Sequence, residues 1–349
     1  MTKAAASRDF RIALVGCGRI SRNHFDAIAA VPGLRLTAVC DTAEERAREA
    51  GDAHGVPWFT SYEKLLHEAP CDAVAVATPS GLHAKQGILA ARAGKHVISE
   101  KPMAITLAQA DALVRACDDA AVHLFVVKQN RLNPAVQLLR RAIDKGRFGR
   151  IYVASTTVWW ARPQEYYDQA PWRGTWALDG GAIMNQASHY VDLLQWLVGP
   201  VESVMAKTAT LARKIEAEDT GVAVLKFANG ALGSIQVTML TYPKNLEGSL
   251  TILGEKGAAK VGGTAVNRVE HWVFADADED DKLVEAANTN PPTVYGFGHQ
   301  GYYRNVLAVL RGEALPDTDG RGGRKSLELI LGIYESARTG CEVTLPLKV

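Results

Sequence analysis

Two short stretches carry the side chains best suited to chemistry. Glu100-Lys101-Pro102 follows the apolar run His96-Val97-Ile98-Ser99, which sets an ammonium at the carboxyl end of a predicted strand. Open α/β sheets handle their ligands at that end. A lysine so placed hydrogen-bonds a hydroxyl and stabilises the oxyanion that appears as hydride leaves carbon, provided a cofactor accepts the hydride. Further along, Gly180-Gly181-Ala182-Ile183-Met184-Asn185-Gln186-Ala187-Ser188-His189-Tyr190-Val191-Asp192 leads from a glycine turn into a predicted helix. Asn185, His189 and Asp192 stand four and three apart, which predicts one shared helical face. There Asp192 would fix the imidazole tautomer, His189 would take or return a hydroxyl proton, and Asn185 would orient a hydroxylated substrate. Taken alone, the same residues equally suit a core histidine bonded to an aspartate, and Lys101 an ordinary ion pair with Glu100.

The acceptor of a hydride has its own signature near the N-terminus. Gly16-Cys17-Gly18-Arg19-Ile20-Ser21 follows the first predicted strand and opens a helix, so main-chain N–H groups can approach a pyrophosphate closely. Ser21 stands where a third glycine is usual and must still permit close helix–strand packing. Asp41 ends the second strand; its carboxylate can accept from both ribose hydroxyls and repels a 2′-phosphate, and the following Thr42-Ala43 brings no arginine. NAD is therefore expected over NADP. Ala77-Thr78-Pro79 ends the next strand, with His83 four residues beyond, and this segment is expected to border the cofactor. Thr78 equally suits a helix cap, and His83 a surface histidine.

These residues need a scaffold, and its pattern is legible. The runs Arg11–Val15, Leu34–Cys40, Ala73–Ala77, His96–Ile98 and Leu124–Val127 are near-continuously apolar and alternate with amphipathic stretches such as His83–Ala93 and Leu107–Asp118. That pattern predicts a doubly wound parallel sheet covered by helices on both faces, an N-terminal Rossmann α/β domain over residues 1–128. Beyond it, Tyr152–Val158, Gly221–Phe227 and Leu232–Met239 alternate with period two, and Asn229-Gly230 marks a hairpin. An α+β domain over residues 129–349 is expected, with a large, predominantly antiparallel open sheet and helices near Gln186–Leu197 and Tyr302–Leu310. One face of that sheet is a candidate for pairing subunits. A chain of 349 residues suits two domains.

Composition narrows the partners. The formal net charge is +1, from 39 basic and 38 acidic residues, with no basic block interleaved with aromatics, so neither nucleic acid nor anionic membrane is expected to bind. Five scattered cysteines form no Cys-x-x-Cys pair, which favours a reducing cytoplasm and no zinc site. The opening Met1–Ala6 lacks the apolar core of a signal peptide, and no apolar run approaches the roughly 20 residues of a membrane span. The acidic run Asp276–Asp281 reads as a solvated turn rather than a metal site, and no metal is expected.

In order along the chain, Gly16-Cys17-Gly18-Arg19-Ile20, Asp41, Glu100-Lys101-Pro102 and Gly180-Gly181 through His189 to Asp192 resemble the glucose–fructose oxidoreductase/inositol dehydrogenase/MocA family. The resemblance extends over essentially the whole chain. It implies that Lys101 and His189 are the catalytic pair, that Glu100 contacts the nicotinamide half of NAD, and that Trp172-Arg173 reaches the cofactor. Gln129, within Lys128–Pro134, joins the implied cofactor contacts. A homotetramer is also implied.

Finer likeness lies in Lys128-Gln129-Asn130-Arg131-Leu132-Asn133-Pro134, Met184-Asn185-Gln186 and Gly323–Leu331. These look like bacterial UDP-N-acetylglucosaminuronate 3-dehydrogenases, which act in synthesis of the diacetamido-mannuronic acid of lipopolysaccharide O-antigen. Ala187-Ser188 departs from that branch, which usually has a glycine before the histidine segment. A nucleotide-sugar uronate brings a diphosphate and a carboxylate, and Arg131, Arg162 and Arg173 lie near predicted site loops with Tyr166 and Trp176; arginine forks suit such anions. Each arginine equally suits a surface position. The competing expectation is a dehydrogenase of a free polyol or monosaccharide such as myo-inositol.

Overall fold

In the computed structural model, which describes residues 8–263, 265–291 and 294–348, the apolar runs of the first third form one parallel sheet. Its strands are β1 (Phe10–Val15), β2 (Leu34–Cys40), β3 (Trp58–Phe59), β4 (Ala73–Val76), β5 (His96–Ser99) and β6 (Leu124–Val126), ordered β3-β2-β1-β4-β5-β6. Ile12, Leu14, Val74, Val76, Val97 and Ile98 are fully buried, so both faces need cover. The crossover helices Ser21–Ala30, Glu44–His54, His83–Arg92 and Leu107–Asp119 supply it. The winding reverses between β1 and β4, and open α/β sheets bind their ligands beyond the carboxyl ends of the strands at such a point. The Rossmann expectation is borne out; β3, at two residues, is too short for periodicity to reveal.

The second sheet has the order β13-β12-β11-β7-β10-β9-β8-β14. Its strands are β7 (Ile151–Trp159), β8 (Val201–Ala209), β9 (Thr220–Phe227), β10 (Leu232–Thr238), β11 (Glu247–Gly254), β12 (Gly257–Gly262), β13 (Arg268–Phe274) and β14 (Val343–Thr344). Every pairing is antiparallel except β10 beside β7. Period-two alternation shows in β9, where Gly221, Ala223, Leu225 and Phe227 are buried while Val222, Val224 and Lys226 face outward. The helix Ser188–Val198 packs against β7 and β11. At the Asn229-Gly230 turn Phe227 N–H donates to the Ala231 carbonyl, and Gly230 takes a φ of 87° that suits glycine. The run Asp276–Asp281 is a capped turn: Asp278 caps the short helix Glu279–Leu283, and Asp280 and Asp281 pair with Lys145 and Arg147.

The chain divides into two compact units, one running to Lys128 and including His299–Arg324, the other comprising Gln129–Gly298 and Lys325 onward. The sequence expectation, with one boundary after residue 128, assigned 299–324 to the second domain. In the structure that stretch packs on the parallel sheet: Val126 N–H donates to the Thr318 carbonyl, and Phe125 bridges to Asp319. An apolar helix face such as Tyr302, Tyr303, Val306 and Leu307 does not announce which sheet it covers. No described helix is long and apolar enough to cross a membrane.

At Gly323 a Cβ would meet Val126 Cγ2 at 2.7 Å and Met103 Sδ at 3.0 Å. Gly323→Val should therefore lower the stability of the first unit by about 1–3 kcal/mol, the usual cost of overpacking. Urea denaturation checks this; an unchanged midpoint would show that 299–324 does not seat on β6.

Candidate active site

The glycine turn after β1 is shaped by close approach. Gly16 has a φ of 96°, and a Cβ there would lie 2.6 Å from the Ala77 carbonyl carbon and 2.7 Å from Thr78 N. Gly18 differs: nothing lies within 4 Å of its would-be Cβ, so the main chain ahead of helix Ser21–Ala30 is open to a phosphate. Ser21 is buried and donates its hydroxyl to the Gly18 carbonyl at 2.6 Å, which answers how a serine fits the third position. Arg19 is exposed and Ile20 half-buried beside them. Asp41 accepts from Cys17 N–H at 3.0 Å and Ala43 N–H at 2.8 Å, so the carboxylate ties the first turn to the end of β2. Arg46 also pairs with it at 2.9 Å. Sequence reasoning stopped at Thr42-Ala43 and missed this arginine one turn into the next helix. Taken together, the open Gly18, the helix start and Asp41 fit a dinucleotide, and NAD is the cofactor.

Thr78 and Pro79 close β4, but Thr78 is no helix cap: its hydroxyl donates to Gln86. His83 is not a surface histidine either; it is 1% exposed, with Nδ1 2.7 Å from the Pro102 carbonyl and Nε2 2.7 Å from the Thr78 carbonyl. Beyond β5, Glu100 N–H donates to the Val76 carbonyl, and the Glu100 carboxylate accepts from Lys101 N–H at 3.0 Å. Its other oxygen faces His24 Nε2 at 3.1 Å, and His299 Nε2 lies 3.9 Å away. Tyr303 hydroxyl holds His24 Nδ1 at 2.7 Å. Burial opposes ionisation of Glu100, yet hydrogen bonds and charge from His24 and His299 keep its carboxyl well below the usual range. The half-buried Lys101 rises from this turn, before a cis bond to Pro102. Glu100 thus also faces histidines from helices 21–30 and 298–310, and those residues carried no sequence signal.

In the second unit the short turn Gln129–Leu132 meets the helix Ser188–Val198. Gln129 Nε2 lies 3.3 Å from His189 Nε2, an orientation in which an amide donor faces an imidazole lone pair. Asp192, buried, accepts from Arg131 Nε at 2.8 Å and Nη2 at 2.7 Å, and from the Ser326 hydroxyl. Asp192 balances a guanidinium through a two-pronged fork, and Arg131, expected at an anionic substrate, spends two donors on it. Asn185 is not on the α-helix with His189: Ala182–Gln186 forms a π-turn, closed by Ala187 N–H to the Ala182 carbonyl, so three-and-four spacing does not carry across it. Asn185 instead donates to Asp179, which also accepts from Gly174 N–H at 2.7 Å.

The aromatic and basic residues 160–176 gather locally. Tyr166 lies between Arg162, 5.5 Å from its centroid, and Arg173, 4.2 Å away. Arg162 also donates to the Ala161 carbonyl and to Asn245. Arg173 Nε and Nη1 are buried without a protein partner, and Trp172 flanks the same guanidinium at 5.4 Å. Such orphaned donors fit an anionic ligand. Trp176 is 47% exposed and meets Tyr334 edge-on.

Beneath the Gly180-Gly181 turn lies Glu218, which sequence reasoning did not single out for chemistry. Its Oε1 accepts from Ile183 N–H at 2.8 Å and from Tyr334 hydroxyl at 2.9 Å. A Cβ on residue 181 would fall 1.6 Å from Oε2, so only glycine fits. Burial pushes this carboxyl up to about 7, more than the main-chain and Tyr334 hydrogen bonds hold it down.

Comparison with known proteins identifies the family of both units. Residues 10–128 match the oxidoreductase family model with an NAD-binding Rossmann fold, and residues 136–260 match the GFO/IDH/MocA C-terminal domain. The WlbA dehydrogenase from Bordetella pertussis, solved with NADH and UDP-GlcNAcA, is 58% identical, with 98% of this chain and 99% of that one covered and a TM-score of 0.95. The WlbA dehydrogenase from Chromobacterium violaceum, solved with the same two ligands, is 54% identical over 98% of each chain, with a TM-score of 0.94. A D-apiose dehydrogenase from Paraburkholderia graminis is 29% identical over 96% of this chain and 90% of its own.

Glu218 also generates a pH dependence. An unfolded glutamate ionises near 4.5 and the folded one near 7, so between those values the folded chain holds the extra proton and stability falls as pH rises. The loss is on the order of 3 kcal/mol. Glu218→Gln should remove that slope. Urea midpoints from pH 5 to pH 8 test it, and equal slopes in both proteins would refute the assignment.

Proposed function

The chain belongs to the GFO/IDH/MocA oxidoreductase family, and from that premise we propose that it oxidises the C3 hydroxyl of UDP-N-acetyl-D-glucosaminuronate to a 3-keto sugar. The coarser activity is firm: it is an NAD-dependent sugar dehydrogenase acting on a CH–OH group. The finer one is carried by whole-length likeness to two dehydrogenases solved with that nucleotide sugar. Arg173 suits the same reading, since two of its guanidinium nitrogens are buried without a protein partner, as an anionic group of the substrate or of the cofactor would require. The product would enter synthesis of the diacetamido-mannuronic acid of lipopolysaccharide O-antigen. Five free thiols suit the cytoplasm, where that chemistry begins.

Bound NAD supplies the hydride acceptor. Lys101 donates to the substrate hydroxyl and stabilises the oxyanion as charge develops there, and His189 takes the hydroxyl proton. Gln129 orients that imidazole from one side. Asp192 acts through Arg131 and the turn Gln129–Leu132, fixing the segment that carries Gln129. Trp172 and Arg173 serve the cofactor or the diphosphate, with Arg162, Tyr166, Trp176 and Asn185 around the sugar nucleotide. Thr78, Pro79 and Glu100 border the nicotinamide half.

We also propose a homotetramer. Val153, Met205, Val222, Val224, Leu232 and Leu253 are 42% to 59% exposed on the second sheet. Register pairs Met205 with Val224, and Val153 with both Leu232 and Leu253, which makes two apolar clusters on the outward face, separated by Lys226 and Ser234. A second copy of the same face covers it.

Lys101→Ala should keep NAD affinity and lose turnover by roughly 10²–10³-fold, the cost of one oxyanion donor. Absorbance of reduced nicotinamide, followed with UDP-N-acetylglucosaminuronate and then with myo-inositol and glucose, decides the substrate; turnover of the free polyols alone would overturn the nucleotide-sugar assignment. Val224→Lys should reduce the particle seen by light scattering from four chains to fewer. An unchanged mass would move the subunit contact elsewhere.

A further inference from the structure

His83 makes two contacts that a neutral ring cannot satisfy together. Its Nδ1 and Nε2 each lie 2.7 Å from a main-chain carbonyl oxygen, of Pro102 and of Thr78. A carbonyl oxygen only accepts, and a neutral imidazole has one N–H. In either neutral tautomer one ring nitrogen would point its lone pair at an oxygen lone pair. The imidazolium, with two N–H donors, makes both bonds. We propose that His83 is a buried imidazolium and that it acts as a positioning residue for Lys101, by tying the main chain just after the lysine to the end of β4.

The geometry around the ring fits that role. Glu100 N–H is bonded to the Val76 carbonyl, and the Glu100 side chain is bonded to Lys101 N–H and to His24, so the chain before the lysine is fixed. His83 fixes the chain after it. Burial is the largest influence on the ring and disfavours the charged form, as does Lys101; the Pro102 and Thr78 carbonyls and Glu100 favour it, and the balance holds the imidazole below its ordinary value. Against that balance stands the geometry: in either neutral tautomer one of the two 2.7 Å contacts becomes a lone-pair contact inside an enclosed site.

The protonation state stands on its own, whereas its catalytic consequence rests on the proposed role of Lys101. Long-range proton–nitrogen correlation of full-length protein labelled with ¹⁵N-histidine tests the first. At pH 8 one of the nine histidines should be an imidazolium with both ring protons protected from exchange, and His83→Gln should lack that signal. A spectrum in which all nine rings are neutral at pH 8 overturns the proposal. Kinetics test the second: His83→Leu should lower kcat on the order of 10²-fold with KM and NAD affinity nearly unchanged, as expected for a misplaced reacting group. His83→Gln, whose amide also has two N–H donors, should recover part of the loss. Wild-type kcat in a folded His83→Leu refutes the positioning role, and should the leucine variant not fold, the absence of any buried imidazolium in the wild type still refutes it. Failure of the wild type to turn over any sugar would instead sink the reaction assignment and leave the nitrogen spectrum to be judged alone.

Discussion

The first unit depends on one enclosed negative charge, the carboxylate of Glu100. An ion removed from water is costly unless it is paired and hydrogen-bonded on all sides. Here one oxygen takes the N–H of the next residue and the other faces His24, with His299 close by. Those partners come from a helix that begins at the glycine turn and from a stretch nearly two hundred residues later. Satisfying the charge therefore fastens three separate parts of the chain around the root of Lys101. The main chain at the lysine is placed by that requirement.

The second unit solves a related problem with different groups. Asp192 and Arg131 form a planar two-bond fork between the helix carrying His189 and the turn carrying Gln129. Asp179 joins Asn185 to the Gly174 turn, and Glu218 fills the space that a side chain on residue 181 would need. Each acidic group is thus spent on holding backbone segments. Arg173, with two donors left unpartnered by the protein, is basic and sits among aromatic rings. Division of labour between acidic braces and basic contacts is consistent with an anionic substrate.

Local patterns in the sequence were sufficient for the parallel strands, the glycine turn, Asp41, the Glu100-Lys101-Pro102 turn and the histidine helix. Each depends on neighbours within a few residues. What escaped depends on separation or on departures from regular geometry. His24 meets Glu100 across 76 residues, and Asp192 meets Arg131 across 61, distances over which no periodicity carries information. Asn185 was aligned with His189 by counting α-helical turns through a segment that hydrogen-bonds with a π spacing. Arg46 escaped because the search ended two residues after Asp41, whereas a helix returns to the same side nearly a turn later. The packing of 299–324 on the parallel sheet was hidden because an amphipathic helix specifies that it needs a partner surface, not which one.

That neighbouring arginine gives the cofactor pocket a latent alternative. Arg46 is half exposed and is restrained by the very carboxylate that disfavours a phosphorylated ribose. Loss of the acid would remove a repulsion and free a cation in the same stroke, so the chain already holds the counter-charge that a phosphorylated cofactor requires. Position 41 therefore couples two things that a change there would alter together: the anchor that holds the first turn to the end of β2, and the charge that restrains the neighbouring guanidinium.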